Sequence, residues 1–320
     1  MLPRFKILVA ALASGLMLSG AAGAAEGDYP SEPIKIVHGS SAGAPQDVML
    51  RQLAPYLEEV AGVPIVVEPR PGGSGQVAMA YLKGQPADGY TILNEATGIT
   101  SILQLPGAAH EWQDFTPLYR IQLDPFALYV QRDGKYTTLE EFIAAMKEQP
   151  GLIRIGGYGS GSPHQLTALA MAEEAGVEMV WVPYSSGTDA INAVMGGDID
   201  AAMSNISVYN RFKERTKVLA VTSEEQLEAY PKVPTFRDEG IDLARYHWRG
   251  MFVKEGTPPE IVDELYRLIG EAVQSEGFQQ YLADSSTLPG NMPRAEFEKM
   301  LEKQAESDRK TLTEIGMLAE

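Results

Sequence analysis

The residues of this chain that could do chemistry are mainly small or hydroxyl-bearing, and they gather in turns that follow short apolar stretches. Residues 34–37 are typical of a buried strand, and Pro45 suits the first position of a helix, where a backbone N–H is not needed. The turn between them has little side-chain bulk, so a ligand can approach its backbone. Amide N–H groups and the positive end of the helix dipole favour an anion there. We therefore predict a carboxylate site, with an ordinary loop as the alternative, at Ser40, Ser41, Ala42, Gly43 and Ala44.

Two further polar residues of the first half are candidates for the same site. Asp47 lies just inside the helix, where it could hold the turn through backbone N–H groups or face an ammonium group of an amino-acid ligand. We favour the first role, because a carboxylate near a helix N-terminus is stabilised there. Glu95 and Thr97 lie at the end of a third strand, in a predicted turn of residues 94–101. A glutamate in an anion cleft is unfavourable unless it pairs with a cation or is protonated, so we rank Thr97 higher.

The same order of strand, small-residue turn and helix returns in the second half of the chain. Apolar stretches at 153–155, 179–182 and 199–203 each precede such a turn. These turns would face those of the first half. They contribute as candidates Ser160, Gly161, Ser162, His164, Tyr184, Gly187, Thr188, Asp189 and Asn205.

Composition excludes several classes of function. The formal net charge of −17 argues against nucleic acid or an anionic membrane surface as a partner, because both require clustered Lys and Arg. With no cysteine there is no disulfide, thiolate metal site or cysteine nucleophile. The four histidines are scattered without metal-binding spacing, so we predict no metal and no cofactor.

The first 25 residues are predicted to be a signal peptide rather than part of the fold. Arg4 and Lys6 form a basic start, an apolar run follows, and residues 22–25 are small enough for cleavage. The run is short for a membrane span, and a retained anchor helix is the alternative. We expect an exported, soluble protein of the periplasm.

Alternating strands and helices predict an α/β fold built from parallel sheets flanked by helices. The two halves align turn for turn, for example residues 44–45 with 162–163 and the predicted helix stops Gly62 with Gly176, which indicates two lobes of similar build rather than chance likeness. Ligands of such sheets collect at the carboxyl ends of the strands, so both sets of turns would surround one cleft. Segments 118–130 and 246–254 are predicted to cross between the lobes. Amphipathic helices after Pro258 should cover the first lobe.

Motifs of common enzymes are absent from the sequence. There is no nucleophile elbow, no phosphate-binding lysine loop and no dinucleotide fingerprint. We therefore predict that the protein has no catalytic residues and is not an enzyme. An exported α/β hydrolase using Ser162 and His164 is kept as an alternative, although their closeness in sequence is weak support.

With these turns laid out, the chain resembles the periplasmic substrate-binding proteins of tripartite tricarboxylate transporters, also called the Bug family. The resemblance covers essentially the whole mature chain. It rests on an ordered series of short motifs: Tyr29-Pro-Ser-Glu-Pro-Ile34, Ala42-Gly43 followed by Asp47, Val67-Glu-Pro-Arg-Pro-Gly-Gly73, Ala87-Asp-Gly-Tyr-Thr-Ile92, Asp114-Phe-Thr-Pro117, Gly159-Ser-Gly161, Val182-Pro-Tyr-Ser-Ser-Gly187, Gly196-Gly197, Val218-Leu-Ala-Val-Thr222, Val233-Pro-Thr235 and Lys254-Glu-Gly-Thr-Pro258.

The resemblance implies a two-lobed type II periplasmic binding protein fold that closes on a small organic acid: a di- or tricarboxylate, an acidic amino acid or an aromatic carboxylate. It also implies a monomer that delivers its ligand to a two-subunit membrane permease driven by an ion gradient. A sensor subunit that signals to a membrane kinase is the other role considered. The lobes would comprise residues 28–123 plus 231–320 and residues 124–230.

The chain departs from the family pattern in the first turn. Members of the family usually carry an apolar residue, Pro and an aromatic residue where this chain has His38-Gly39-Ser40, and a second Gly at Ala44. We expect His38 and Ser40 to make the pocket roomier and more polar on the side of the first lobe.

Overall fold

The structure, a computed structural model, describes residues 29–319. The predicted signal peptide lies outside this range. The strands are β1 (Ile34–His38), β2 (Ile65–Pro69), β3 (Thr91–Ala96), β4 (Phe115–Gln131), β5 (Arg154–Tyr158), β6 (Val180–Tyr184), β7 (Ala201–Asn205), β8 (Thr216–Val221), β9 (Tyr246–Lys254) and β10 (Leu288–Pro289). The helices are α1 (Pro45–Ala61), α2 (Gln76–Lys83), α3 (Ile99–Ile102), α4 (Leu139–Glu148), α5 (Pro163–Ala175), α6 (Gly187–Gly196), α7 (Tyr209–Phe212), α8 (Pro259–Val273), α9 (Glu276–Asp284) and α10 (Arg294–Glu314).

The strands form two lobes that share β4. Their order along the hydrogen-bonded path is β2-β1-β3-β9-β4-β7-β5-β6, with β8 and β10 pairing with β4 off that path. In each lobe three strands pair in parallel, β2-β1-β3 in the first and β6-β5-β7 in the second. The predicted two-lobed α/β fold is therefore confirmed. Strand β9 pairs antiparallel with β3 of the first trio, β4 pairs antiparallel with β7 of the second, and β4 and β9 pair with each other.

Strand β4 passes from one lobe to the other near its middle. Its first part, Phe115 to Pro125, pairs antiparallel with β9 in the first lobe. From Phe126 onward its partners are β7 and β8 of the second lobe. The change of partner falls between Pro125 and Phe126, within the segment that the sequence predicts to be a crossing.

Each lobe has its own apolar core. In the first lobe, Leu50 and Leu53 of α1 pack with Leu265 and Ile269 of α8, and all four are buried. In the second lobe, buried residues of β4, β5 and β7 pack with α4 and α5. Within residues 29–319, none of the helices combines the length and the apolar character that a bilayer span requires.

The matching turns of the two halves have matching geometry. Helices α1 and α5 both begin with a proline and both end at a glycine in the left-handed conformation, Gly62 at φ 68° and Gly176 at φ 63°. A left-handed end suits glycine because it lacks a Cβ. The sequence analysis placed these starts and stops correctly.

The structure corrects some boundaries. Strand β3 continues to Ala96, where a turn over residues 94–101 is expected, because Asn94, Glu95 and Ala96 pair with β9. Residues 99–102 then form the short helix α3. The sequence analysis did not predict α4.

Candidate functional site

A cavity of about 580 Å³ lies between the two lobes, at the carboxyl ends of their parallel strands. In open α/β sheets, ligands commonly bind at this position. Its walls are formed by Gly39, Ser40, Ser41, Ala44, Pro45, Gln46, Ser74, Gly75, Glu95, Ala96, Gly98, Ile102, Tyr158, Pro163, His164, Ser185, Ser186, Gly187, Thr188, Ser204, Asn205, Val208, His247 and Arg249. A larger cavity of about 800 Å³ lies by residues 224–229 and 279–289. We place the site in the cavity between the lobes because the small-residue turns and buried ionisable groups converge there.

The first turn contributes only part of its predicted residues to the cavity wall. Ser40, Ser41 and Ala44 line the cavity, whereas Ala42 and Gly43 do not. The backbone N–H of Gly43 donates a hydrogen bond to Oδ2 of Asp47 at 2.9 Å. That amide is therefore already engaged by the protein, so it is not free for a ligand.

Asp47 faces away from the cavity. Oδ1 lies 3.1 Å from Nε2 of His38, and both carboxylate oxygens accept hydrogen bonds from Arg51. The hydrogen bonds from Arg51 are the main reason that the pKa of Asp47 is lowered to about 2, and those of Gly43 and His38 add to them. The geometry matches the turn-holding role. His38 is likewise buried and absent from the cavity wall, contrary to the expectation that it makes the pocket more polar.

The order of preference for Thr97 and Glu95 is reversed by the structure. Thr97 is buried, its Oγ1 donates to the carbonyl of Tyr246 and accepts from the N–H of Trp248, and it does not line the cavity. Glu95 lines the cavity, is 8% exposed, and its Oε1 has no hydrogen-bond partner within residues 29–319. Burial raises the pKa of Glu95 to about 8.

In the second lobe, Ser162 is the N-cap of α5. Its Oγ accepts a hydrogen bond from the N–H of Gln165 and donates to the carbonyl of Tyr158. No hydrogen bond in the described part of the chain joins Ser162 to His164, and neither Ser160, Gly161 nor Ser162 lines the cavity. The geometry of a nucleophile and its base is therefore absent from residues 29–319 at this pair.

His164 does line the cavity. It is 6% exposed, and burial lowers its pKa to about 4, so that the imidazole is neutral at pH 7. Its Nδ1 and the Nδ2 of Asn205, which also lines the cavity, lack hydrogen-bond partners within residues 29–319. Both atoms also have almost no accessible surface, so it is other atoms of His164 and Asn205 that form the cavity wall.

The turn that precedes α6 divides in the same way. Gly187 and Thr188 line the cavity, whereas Tyr184 and Asp189 do not. The backbone N–H of Asp189 donates a hydrogen bond to the Oγ of Ser186, which caps the helix, and that Oγ donates to Oδ2 of Asp189 at 2.8 Å.

Sequence reasoning missed two charged or titratable residues of the cavity wall, His247 and Arg249. Both belong to β9, whose residues the sequence analysis treats only as a crossing. Residues two apart on a strand share a face, so the pair could have been placed together once β9 was recognised. Arg249 is 7% exposed, donates to Oε1 of Gln122, and lies 3.9 Å from Oδ2 of Asp124. Burial and the charge of Arg249 hold the pKa of His247 well below its usual value.

The cavity therefore combines one buried guanidinium, two neutral histidines, one buried carboxyl group and several serine hydroxyls. A guanidinium presents a planar array of donors that matches a carboxylate. Among residues 29–319 there is no cluster of three or more His, Asp or Glu side chains suited to a metal ion. The arrangement is suited to holding a small polar molecule, and one end of that molecule can be an anion.

This chain belongs to the tripartite tricarboxylate transporter receptor family, TctC, whose family model matches residues 49–317. It is a solute-binding receptor of that family. Among curated relatives, it is 26% identical to a UPF0065 protein of Cupriavidus necator over 97% of this chain and 95% of the relative. It is 27% identical to the protein BugT of Bordetella pertussis over 82% of each.

Solved structures agree with the fold. A TctC solute-binding protein from Polaromonas is 28% identical, with a TM-score of 0.78 over 89% of this chain and 99% of that one. An adipate-bound protein of R. palustris is 24% identical, with a TM-score of 0.77 over 89% of this chain and 98% of that one. A malate-bound protein from Rhodopseudomonas palustris is 21% identical, with a TM-score of 0.73 over 88% and 99%. Because the sequence identity of the last two structures to this chain is low, their likeness supports the fold alone.

Proposed function

We propose that this receptor captures a small organic acid between its lobes in the periplasm and delivers it to a two-subunit membrane permease. The observation that carries the proposal is the cavity between the lobes, with the buried guanidinium of Arg249 on its wall. Its guanidinium donates to Oε1 of Gln122, and Asp124 faces it at 3.9 Å, which is within ion-pair range but too distant for a hydrogen bond. A guanidinium carries several N–H donors, so a ligand carboxylate can accept from those that Gln122 does not use.

The turns around the cavity support the same proposal. Ser40 and Ser41 lie on the wall contributed by the first lobe, and Thr188 lies on the wall contributed by the second. Charge-assisted hydrogen bonds contribute on the order of 1.5–3 kcal/mol each. A micromolar complex requires roughly 8 kcal/mol, so a few such bonds suffice after the costs of ordering.

The partner and the division into lobes are part of this proposal. Similar receptors serve tripartite transporters, and the sequence of residues 1–25 predicts export. We propose that residues 28–123 plus 231–320 form the first lobe and 124–230 the second. The exchange of partners by β4 after Pro125 supports a boundary there.

The proposal is tested on the purified mature protein by calorimetry and thermal unfolding with a panel of succinate, malate, adipate, citrate, aspartate, glutamate and benzoate. A ligand that binds only the folded state must raise the melting temperature. We expect at least one member to do so, and Arg249→Met to reduce that rise. If no member of the panel binds, capture of a small organic acid is contradicted.

A further inference from the structure

We propose that the last part of α10 and the turn that follows it form a strap, which holds the two lobes together along one side of the cavity and sets how readily that side opens. The strap acts through Asp308 and Met317 and through the groups that they meet across the cleft. The inference goes beyond the proposed function, because it concerns the protein without a ligand.

Helix α10 is fixed to the first lobe through α3 and the residues after it. Oγ1 of Thr100 donates to Oδ2 of Asp308 at 2.7 Å, and Nε2 of Gln104 donates to the carbonyl of Ala305 at 2.8 Å. Asp308 is 2% exposed. A buried carboxyl group needs partners for both of its oxygens, and Thr100 serves Oδ2. The other oxygen, Oδ1, is directed towards Arg245.

The guanidinium of Arg245 contacts both lobes. Its Nη2 lies 3.4 Å from Oδ1 of Asp308, and its Nη1 lies 3.5 Å from the carbonyl oxygen of Leu166 on α5. The backbone of Arg245 is itself held beside the second lobe, because its N–H donates to the carbonyl of Thr222, directly after β8, at 3.1 Å. Both guanidinium distances are long for hydrogen bonds, so charge supplies most of the attraction to Asp308. One cation thus joins α10 to α5.

The turn after α10 carries an apolar side chain to the second lobe. Gly316 adopts a left-handed φ of 73°, and the N–H of Met317 donates to the carbonyl of Leu312 at 2.8 Å, which is a common end for a helix. Met317 thereby comes to lie over Gly161, just before α5. A Cβ built on Gly161 would lie 3.0 Å from Cε of Met317 and 3.2 Å from Cδ1 of Leu105. Glycine at this position therefore leaves room for two apolar side chains of the first lobe.

The strap lies beside the cavity. Ile102 of α3 and Pro163 of α5 are both on the cavity wall, one from each lobe. Gly98, also on the wall, approaches the same proline, since a Cβ built on it would lie 3.7 Å from Cδ of Pro163. The residues that the strap contacts are near neighbours of these wall residues in sequence. Separation of the strap therefore opens this side of the cavity to solvent.

The strap is tested by measuring the distance between the lobes in the mature protein without a ligand. The chain has no cysteine, so spin labels can be attached at Glu173→Cys on α5 and Glu306→Cys on α10, both at exposed positions. Because these helices belong to different lobes, the distance between the labels grows when the strap separates. Double electron–electron resonance gives the populations of short and long distances.

Two substitutions in the labelled protein address the ionic part of the strap. Arg245→Met removes the cation, and Asp308→Asn keeps an acceptor for Thr100 while it removes the negative charge. We expect each to lower the ratio of short to long distances by about fivefold, the upper scale of a partly exposed ion pair. The double variant should lower it no further, because both residues act through one contact. Arg309→Met and Glu302→Gln, at exposed positions of α10, are the matched controls and should leave the ratio unchanged.

A third substitution addresses the apolar part. Met317→Ala removes the contact with Gly161 and changes only the turn after α10, so it keeps the core of α10 intact. We expect it to lower the same ratio by roughly threefold to fivefold, in line with the loss of a partly buried apolar contact.

The outcomes decide between the strap and a merely local role of these residues. If all three variants keep the wild-type distribution, or if the wild type itself already shows the long distance, the strap is overturned while capture of an organic acid stands. If the double variant lowers the ratio by the product of the two single effects, Arg245 and Asp308 do not act as a pair and the ionic part is overturned. Unfolding transitions verify that each variant is folded, and Met317→Ala remains decisive should Asp308→Asn fail to fold.

Discussion

Nε2 of His38 lies 3.1 Å from Oδ1 of Asp47, and both side chains are almost fully buried. The contact joins the end of β1 to the first turn of α1. The carboxylate therefore holds the turn, which is the role that the sequence analysis favoured over contact with an ammonium group of a ligand.

Replacement of Asp47 by Asn should destabilise the first lobe. The carboxylate accepts hydrogen bonds from Arg51 and from the N–H of Gly43, and loss of its charge weakens these bonds. We expect Asp47→Asn to lower the free energy of unfolding by about 2 kcal/mol in urea denaturation at pH 7. Asp189→Asn is the matched control, because Asp189 is the third residue of α6 and is exposed. It should cost less than about 1 kcal/mol.

The effect at Asp47 should depend on pH in a defined direction. The pKa of Asp47 is about 2 in the folded protein and has an ordinary value of 3.8, so its stabilising contribution is complete above 3.8. It is lost as the pH falls from 3.8 towards 2. A difference between wild type and Asp47→Asn that stays constant down to pH 2 would contradict this account.

Ser162→Ala should remove a helix cap without abolishing ligand binding. Ser162 caps α5 through the N–H of Gln165, and its side chain does not line the cavity. We expect the free energy of unfolding to fall by about 1 kcal/mol and the affinity for a bound carboxylate to change less than about threefold. Measured esterase activity that disappears in Ser162→Ala would instead support the hydrolase alternative.

Arg249→Met should weaken the binding of a carboxylate. Arg249 is the buried cation of the cavity wall, and its loss removes a charge-assisted hydrogen bond. We expect affinity to fall by about tenfold to a hundredfold in calorimetry, and Arg249→Lys to keep part of it. Arg267→Met, on the exposed face of α8, serves as the control. Unchanged affinity in a folded Arg249→Met would remove the guanidinium from the binding site.

Glu95→Gln should make the ligand-free protein more stable than the wild type at high pH. Burial raises the pKa of Glu95 from 4.5 to about 8, so the unfolded chain loses this proton before the folded one does. Wild-type stability arising from Glu95 is therefore full below pH 4.5 and falls as the pH rises towards 8. We expect the variant to gain on the order of 3 kcal/mol relative to wild type between pH 4.5 and 8, measured by urea denaturation. Parallel pH profiles of the two proteins would show that Glu95 is not buried in solution.

Local signals predicted the starts and ends of several helices. Pro45 and Pro163 begin α1 and α5, and Gly62 and Gly176 end them. These residues act through their own backbone conformations, so their effect can be recognised without knowledge of the rest of the fold. The family motifs predicted the two-lobed fold and the solute-binding class.

The composition of the site was decided by contacts between distant parts of the chain. Glu95 and Arg249 reach one cavity because β3 pairs with β9, which is remote in sequence. Asp47 lies outside the cavity because His38 and Arg51 contact its carboxylate. Local residue choice made the turns small and rich in backbone donors. Which side chains face the cavity and which ionisable groups are buried depend on packing and strand pairing between segments that are remote in sequence.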